Sequence, residues 1–330
     1  MGMKIPVLNA ESWLNQMNER RSMLGNRFYA MYSSVAGGII TDPAFMAVPM
    51  DDHLVHRGDG IFESFKCVDG SIYNLEAHLD RLDRSCTRIG LMVPVNRVEL
   101  REAIIQTVLA GGQRDCLVRL LVSRGMGTMG VNPYECQRPE IYVMVYEMND
   151  KPAHNYEEGV SVRLSDIPVK PSFFATVKSC NYLPNVLMKK EAVDWNVDFV
   201  VSVDEKGNLA EGATENVGVV TQDNELLMPP AERVLGGTTV GRVFRLAEKI
   251  LKPAGLISHV AYENIPVAQA HNVKEMMIIG TTPDVVPVVQ FEGEPVADGN
   301  PGPVFKALLE ALRKDIRENP ARLTPVFEEE

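Results

Sequence analysis

Apolar and polar residues recur along this chain with two different spacings, which predict where helices and strands form. Apolar residues at helical spacing predict helices over residues 11–24, 76–90, 97–110, 183–195, 240–252 and 304–316. Runs rich in β-branched and aromatic residues predict strands over residues 116–122, 140–146, 160–164, 199–203, 217–220 and 275–279. A further segment, 61–75, predicts a hairpin that turns at Asp69-Gly70. Because helices and strands interleave, the predicted fold class is α/β.

The order of these elements predicts two domains joined by a polar connection. A short amphipathic helix precedes the first domain and is expected to pack on the body of the protein. A polar tail that ends in Glu328, Glu329 and Glu330 follows the last helix and is expected to be mobile. The predicted units are an N-terminal extension (1–27), an α+β domain (28–148), a connection (149–158) and an α/β domain (159–330).

Length, charge and cysteine content narrow the classes of protein that fit. A chain of 330 residues can bury a sizeable core, and a net charge of −11 argues against nucleic acid as a partner. The five cysteines include no C-x-x-C pair, so we expect reduced thiols and no metal site. The N-terminus has no apolar leader pattern, and no run of eighteen uncharged apolar residues occurs. We therefore expect a cytoplasmic protein that does not enter a membrane.

Two motifs in the second half of the chain carry the candidate chemistry: VKSCNYLPNVLMKKEA at 177–192 and LAEGATENVGVV at 209–220. Lys178 precedes a predicted helix, and the apolar residues before it would lower the pKa of its amine by desolvation. Glu211 lies at the end of a predicted strand. A lysine and a carboxylate suit pyridoxal phosphate, since the amine can hold its aldehyde and the carboxylate can keep its ring nitrogen protonated. On local sequence alone, an exposed lysine and an exposed turn carboxylate remain open alternatives.

Two further patterns could bind a phosphate group. Gly236-Gly237-Thr238-Thr239 directly precedes a helical run, where free backbone N–H groups and hydroxyls can meet a phosphate dianion. Ordinary helix capping explains the same residues equally well. In HLDRLDRS, helical spacing brings Arg81 onto one face with His78 and Ser85, and its guanidinium fork suits a phosphate.

These motifs, K-x-x-N-Y-L and E-G-x-x-x-N, resemble those of the class IV aminotransferases, which are the fold type IV pyridoxal-phosphate enzymes. HRGDGIFESF, HLDRLDRS, LGGTTVGRV and IIGTTPDVVPV resemble further blocks of that family, in the family's order, from about residue 28 to about residue 316. The resemblance implies a barrel-like sheet in the C-terminal domain and a cofactor between the domains. It also implies a homodimer in which each active site borrows a loop from the partner.

The resemblance also implies roles for individual residues. Lys178 would hold pyridoxal 5′-phosphate and act as the base, while Glu211 would face the pyridine nitrogen. Tyr182 would donate to the phenolic oxygen of the cofactor, and Asn216 would brace the turn after Glu211. The residues that the family pattern assigns to the phosphate are Arg81, Thr238, Thr239 and Thr281.

The implied reaction is a ping-pong transfer of an amino group between an amino acid and a 2-oxo acid. Segments 31–60 and 175–187 resemble plant D-amino-acid transaminases, whereas Tyr182 and the loop 123–133 resemble branched-chain enzymes. Ser64 and Thr282 depart from the branched-chain pattern. We therefore predict D-amino acids, with branched-chain L-amino acids as the alternative and 4-amino-4-deoxychorismate lyase or a silent carrier as further ones. The candidate substrate residues are Arg57, Arg124, Met126 and Thr282.

Overall fold

The computed structural model describes residues 3–25, 27–149 and 152–327. Its strands are β1 (Phe28–Ser33), β2 (Gly38–Ile40), β3 (Gly60–Val68), β4 (Ser71–Tyr73), β5 (Cys116–Ser123), β6 (Glu140–Tyr146), β7 (Val160–Leu164), β8 (Phe199–Val203), β9 (Leu209–Gly212), β10 (Asn216–Val220), β11 (Glu225–Met228), β12 (His259–Tyr262), β13 (Glu275–Gly280), β14 (Asp284–Phe291), β15 (Glu294–Pro295) and β16 (Leu323–Pro325).

Its helices match the predicted ones closely in the long, strongly periodic segments. They are α1 (Ala10–Leu24), α2 (His53–Arg57), α3 (Leu75–Arg88), α4 (Arg97–Gly111), α5 (His154–Glu157), α6 (Ser172–Ala175), α7 (Leu183–Asp194), α8 (Thr238–Leu246), α9 (Val267–Ala270) and α10 (Pro303–Glu318). A π-helical turn, Ala247–Leu251, extends α8, and two 3₁₀ turns lie at Pro43–Phe45 and Pro133–Glu135. No helix in the described ranges has the length and apolar character needed to span a membrane.

The first sheet has seven strands in the order β16-β4-β3-β5-β6-β1-β2. The predicted hairpin is confirmed, because β3 and β4 pair antiparallel around Asp69 and Gly70, which both have positive φ angles (51° and 82°). Helices α3 and α4 pack on this sheet and bury residues such as Leu79, Leu82 and Ile104. Strand β3 thereby presents one face to this core and leaves the other for a site.

The second sheet closes on itself. Its nine strands run β12-β11-β10-β13-β14-β7-β8-β9, with β15 added to β14, and β9 also pairs with β10. That last pairing, Asn216 opposite Glu211, joins β10, β13, β14, β7, β8 and β9 into a closed ring, so the expected barrel-like sheet is present. The ring closes at Glu211, one of the predicted cofactor residues.

The two ends of the chain both return to the first sheet's domain. Helix α1 starts with a capping box between Asn9 and Ser12 and packs near Pro43–Phe45, as predicted for the extension. The tail is not wholly mobile as expected, because β16 pairs with the free edge of β4, a long-range contact that local polarity cannot reveal. Its last residues, 328–330, lie outside the described residues. The division at residues 149–158 remains a proposal, supported by the change of sheet between β6 and β7.

Candidate functional site

A cavity of about 250 Å³ lies between the two sheets, and most of the predicted cofactor residues line it. Strands β3 and β5 of the first sheet contribute Phe62, Ser64 and Arg119. Glu211 lines a smaller adjoining cavity, which shares Lys178, Tyr182 and Asn216 with the larger one. The predicted site residues that line the larger cavity are Arg81, Lys178, Tyr182, Thr238, Thr239, Thr281 and Thr282.

Lys178 is held in the segment between α6 and α7 by contacts of its backbone. Its carbonyl oxygen accepts a hydrogen bond from the Phe62 N–H at 3.0 Å, and its own N–H donates to Ser85 Oγ at 3.4 Å. Its side chain is buried. Burial, aided by the charge of Arg81, lowers the pKa of the Lys178 amine to about 7. A large fraction of this amine is therefore uncharged at neutral pH, whereas Lys189 and Lys190 are exposed on α7.

Glu211 is buried on β9, where Leu235 N–H donates to its Oε2 at 2.9 Å. Burial raises the pKa of this carboxyl group. Lys170, which the sequence patterns did not single out, lines the same small cavity and donates to Asn185 Oδ1 at 3.3 Å. Its positive charge opposes the effect of burial on the Glu211 pKa, so this carboxylate has a cationic neighbour besides Lys178.

Arg81 is fixed by a buried network that sequence reasoning found only in part. Its Nε and Nη2 donate to the two carboxylate oxygens of Glu63 at 2.8 and 2.7 Å, and His78 Nδ1 lies 2.7 Å from Glu63 Oε2. Burial raises the Glu63 pKa, but Arg81 and His78 more than offset this and lower it to about 2. His78 Nε2 in turn lies 3.2 Å from Thr238 Oγ1. A buried glutamate inside an apolar strand was the signal that could have revealed this network.

A phosphate group fits the end of the cavity next to Arg81. Helix α8 starts at Thr238 after the extended residue Gly237, so backbone N–H groups and two threonine hydroxyls meet at its N-terminus. A Cβ atom at residue 237 would collide with the side-chain oxygen of Asn216, which explains the glycine. Thr281 and Thr282 follow β13 and line the same cavity. This donor set, with a guanidinium beside it, suits the phosphate of pyridoxal phosphate.

The cavity also carries a cation that the sequence prediction missed. The Arg119 guanidinium lies 5.2 Å from the ring centroid of Phe62 and 5.9 Å from that of Tyr146. It has no hydrogen-bond or ion-pair partner among the residues that the structure describes. Tyr182 packs edge-on against Phe62, with ring centroids 5.0 Å apart. The sequence did carry a signal for this residue, because side chains alternate between the two faces of β5 and Arg119 lies on the face turned away from the core.

Three of the four candidate substrate residues lie outside this cavity. Arg57 is exposed and donates to the carbonyl oxygens of Met129 and Gly130, and Arg124 pairs with Asp59 at 3.0 Å. Met126 forms an isolated β-bridge with Asp52. Within one subunit these residues hold the loop and do not reach the site. That they contact a substrate stays a prediction, because only the loop of a second subunit could bring them to the site.

Comparisons with known proteins agree on one family. The model of the family "Amino-transferase class IV" matches residues 60–291. The chain is 40% identical over 317 residues to the chloroplastic D-amino-acid transaminase of Arabidopsis thaliana, covering 96% of this chain and 83% of that protein. It is 26% identical over 287 residues to the D-alanine aminotransferase of Bacillus licheniformis, covering 86% and 97%. A crystal structure of the T.th. branched-chain amino acid aminotransferase with pyridoxamine 5′-phosphate superposes with a TM-score of 0.83 at 26% identity, covering 91% and 99%.

One sequence prediction is wrong, and those of the fold type and the cofactor are confirmed. The cytoplasmic location is contradicted by the Arabidopsis relative, whose name places that protein in the chloroplast. The fold and the site chemistry do not depend on the compartment, so this correction leaves the predictions of the fold and the cofactor unchanged. The fold type and the use of pyridoxal phosphate agree with the family and its solved members. The family match over 232 residues and the 40% identity over nearly the whole chain show that this protein belongs to the class IV aminotransferases.

Proposed function

We propose that this aminotransferase takes D-amino acids as amino donors and passes the amino group to a 2-oxo acid such as pyruvate or 2-oxoglutarate. The observation that carries the preference is the 40% identity to a D-amino-acid transaminase over 96% of the chain. The geometry supports transamination itself, because the buried amine of Lys178 lines a cavity that also contains the proposed phosphate residues and Arg119.

Each side chain of the site has a separate task in this reaction. When bound, pyridoxal phosphate supplies an aldehyde for the amino group and a ring that takes up the charge left by a departing proton. Nζ of Lys178 takes the α-proton of the amino acid, which requires the uncharged amine that burial favours. Glu211 holds a proton at the ring nitrogen. Arg81, Thr239 and Thr281 hold the phosphate and so fix the ring relative to Lys178.

The choice of enantiomer depends on where the site binds the substrate carboxylate. A single lysine approaches from one side, so D and L substrates present their α-proton to it only by exchanging the positions of carboxylate and side chain. Arg119 is our candidate for the carboxylate, because Arg81 is assigned to the phosphate and Arg57 donates to loop carbonyls. Phe62 and Tyr182 form the apolar wall beside it.

Branched-chain L-amino acids are the second candidate, favoured by one observation. The T.th. branched-chain enzyme shares the fold at a TM-score of 0.83, and the aromatic wall of Phe62 and Tyr182 would accept an aliphatic side chain. The same wall would accept the methyl group of alanine. Aromatic contacts alone therefore do not separate the two substrate classes.

We further propose a homodimer that completes the site. Large apolar side chains are exposed on α6, α7 and the loop 123–133: Phe173, Phe174, Leu183, Val186, Met129 and Val131. Several large apolar side chains exposed on one group of elements are typical of subunit interfaces. Light scattering coupled to gel filtration should give about twice the 36.6 kDa of one chain, and a monomeric mass would contradict the proposal.

A substrate panel tests the proposed preference. Racemic alanine, aspartate and leucine are each incubated with the enzyme and either pyruvate or 2-oxoglutarate, omitting pyruvate for alanine, and chiral chromatography follows each enantiomer. We expect loss of D-alanine or D-aspartate and retention of the L forms. Selective loss of L-leucine would overturn the D preference in favour of the branched-chain alternative. The Lys178→Ala variant controls for losses that do not depend on the site.

A further inference from the structure

A buried ion pair joins the two sheets next to the cofactor cavity. Along β3, alternate residues share one face: Phe62 and Ser64 line the cavity, and Lys66 follows them. The Lys66 ammonium donates to Asp284 Oδ1, and both side chains are largely buried, with 9% and 13% of their surface exposed. The pair therefore links the strand that carries Phe62 to the first residue of β14 in the other sheet.

Asp284 ends the short turn that carries two of the threonines of the phosphate site. Its backbone has a φ of 58°, a left-handed conformation that is uncommon for a residue with a side chain. The carbonyl oxygen of the preceding residue, Pro283, accepts a hydrogen bond from the Tyr156 hydroxyl at 3.1 Å. Two side chains from outside the barrel thus hold the turn that presents Thr281 and Thr282 to the cavity.

The pair also borders a second cavity. This cavity, of about 730 Å³, is lined by Lys66, Asp284 and Tyr156. Thr282 lines both cavities, so the turn forms part of the wall between them. Without Lys66, no other side chain among the described residues would hold the Asp284 carboxylate, and a buried charge left without its partner is costly. The turn would then be expected to move toward the larger space.

We propose that Lys66 and Asp284 are positioning residues for the cofactor phosphate, acting through the turn that places the hydroxyl of Thr281. The proposal rests on the assignment of the phosphate site, and it does not depend on which amino acid is the substrate. It predicts that the pair stabilises the bound phosphate specifically. A purely structural interdomain link would instead affect the binding of the whole cofactor and the stability of the fold.

Binding of two forms of the cofactor distinguishes these roles. The apo forms of Lys66→Met, Asp284→Asn and Lys66→Arg are titrated with pyridoxal phosphate and with pyridoxal, which lacks the phosphate. The matched control is Lys190→Met, which breaks an exposed ion pair with Asp194. Thermal unfolding of each apo variant shows that it is folded. Asp284→Asn keeps the size of the side chain, so the test can be made with this variant if Lys66→Met does not fold.

The expected result is a selective loss. The first two variants should bind pyridoxal phosphate about 10- to 100-fold more weakly, the range of one lost hydrogen bond to a charged group. Their affinity for pyridoxal should change by less than about twofold. Lys66→Arg, which keeps the charge, should stay within about threefold of the unmodified protein for both ligands. Equal losses for the two ligands, or no loss for either, would overturn the proposal.

Discussion

Two parts of the cavity, one around Arg81 and one around Arg119, differ in how completely their charged groups are paired. At the phosphate end, Arg81 and His78 both bind Glu63, so the guanidinium is already oriented before any ligand arrives. Arg119 lies beside the rings of Phe62 and Tyr146, and its guanidinium forms no hydrogen bond or ion pair within the described part of the chain. A preorganised group contributes binding without paying for its own ordering, whereas an unpaired cation contributes only to ligands that carry a matching charge. We therefore propose that the residues around Arg81 fix the cofactor and that Arg119 selects the substrate.

The strongest test of this difference removes the amine of Lys178, which lines the same cavity. Lys178→Ala should lower turnover by about 10⁴-fold or more, because both the attachment of the cofactor and the proton transfer depend on Nζ. Steady-state rates measure the effect, and circular dichroism checks the fold. The matched control is Lys189→Ala on the exposed surface of α7, which should leave the rate unchanged. Multiple turnover by the Lys178 variant would contradict its assignment.

Glu211→Gln should have the next largest effect. An amide cannot carry the negative charge that keeps the ring nitrogen protonated, so kcat should fall at least about 100-fold, or about 3 kcal/mol of transition-state stabilisation. Cofactor content, measured by absorbance, should stay near that of the unmodified enzyme because the phosphate end is untouched. Glu248→Gln, at an exposed position in the π-helical turn after α8, is the control. An unchanged kcat would remove Glu211 from the mechanism.

Arg119→Met tests the proposed role of Arg119 directly. Loss of a charged hydrogen bond should raise KM for 2-oxoglutarate about 10- to 100-fold, while cofactor affinity changes little. The control is Arg84→Met, which removes the same charge from an exposed position on α3. If KM is unchanged for carboxylate-bearing substrates, the cation has no role in selection and the contrast between the two parts of the cavity fails.

The pH dependence of cofactor attachment gives a smaller effect with a definite sign. Only uncharged Lys178 can attack the aldehyde, and burial brings its pKa from 10.5 to about 7. Attachment to the apoenzyme should therefore be about tenfold faster at pH 8 than at pH 6. The unfolded chain binds more protons than the folded one between pH 7 and pH 10.5, so this group makes the apoenzyme more stable as pH rises through that window. Urea unfolding of Lys178→Met should show a weaker rise.

Local pattern was enough to predict most elements of the fold. The helices α3 and α4 and the hairpin at Asp69-Gly70 follow from periodicity and turn chemistry, which act over a few residues. Strand β16 could not be predicted, because its three residues are ordered by the edge of β4, which lies far earlier in the chain. The barrel-like form of the second sheet was predicted only from family resemblance, and its closure between Glu211 and Asn216 was not predicted.

In the candidate site, too, the sequence predicted the local motifs but not the contacts made between distant residues. The motifs identified Lys178, Glu211 and Arg81, which the structure brings to adjoining cavities. Two buried ion pairs near the site were missed, since Glu63 lies 18 residues from its partner Arg81 and Lys66 lies 218 residues from its partner Asp284. Such pairs form through tertiary packing, so no local spacing in the sequence predicts them. For Arg57, Arg124 and Met126 the sequence identified the motif, but it did not predict that these residues lie outside the cavity.

We propose that Lys178, which lines the same cavity as Arg81 and Arg119, is the lysine that holds the cofactor. Borohydride makes the bond between cofactor and lysine permanent, and peptide mapping by mass spectrometry then locates it. We predict that the label lies on Lys178 alone. The assignment of Lys178 would be contradicted by a label on another lysine or by no label at all. The other lysines to check are Lys170, which lines the same small cavity, and Lys189 and Lys190.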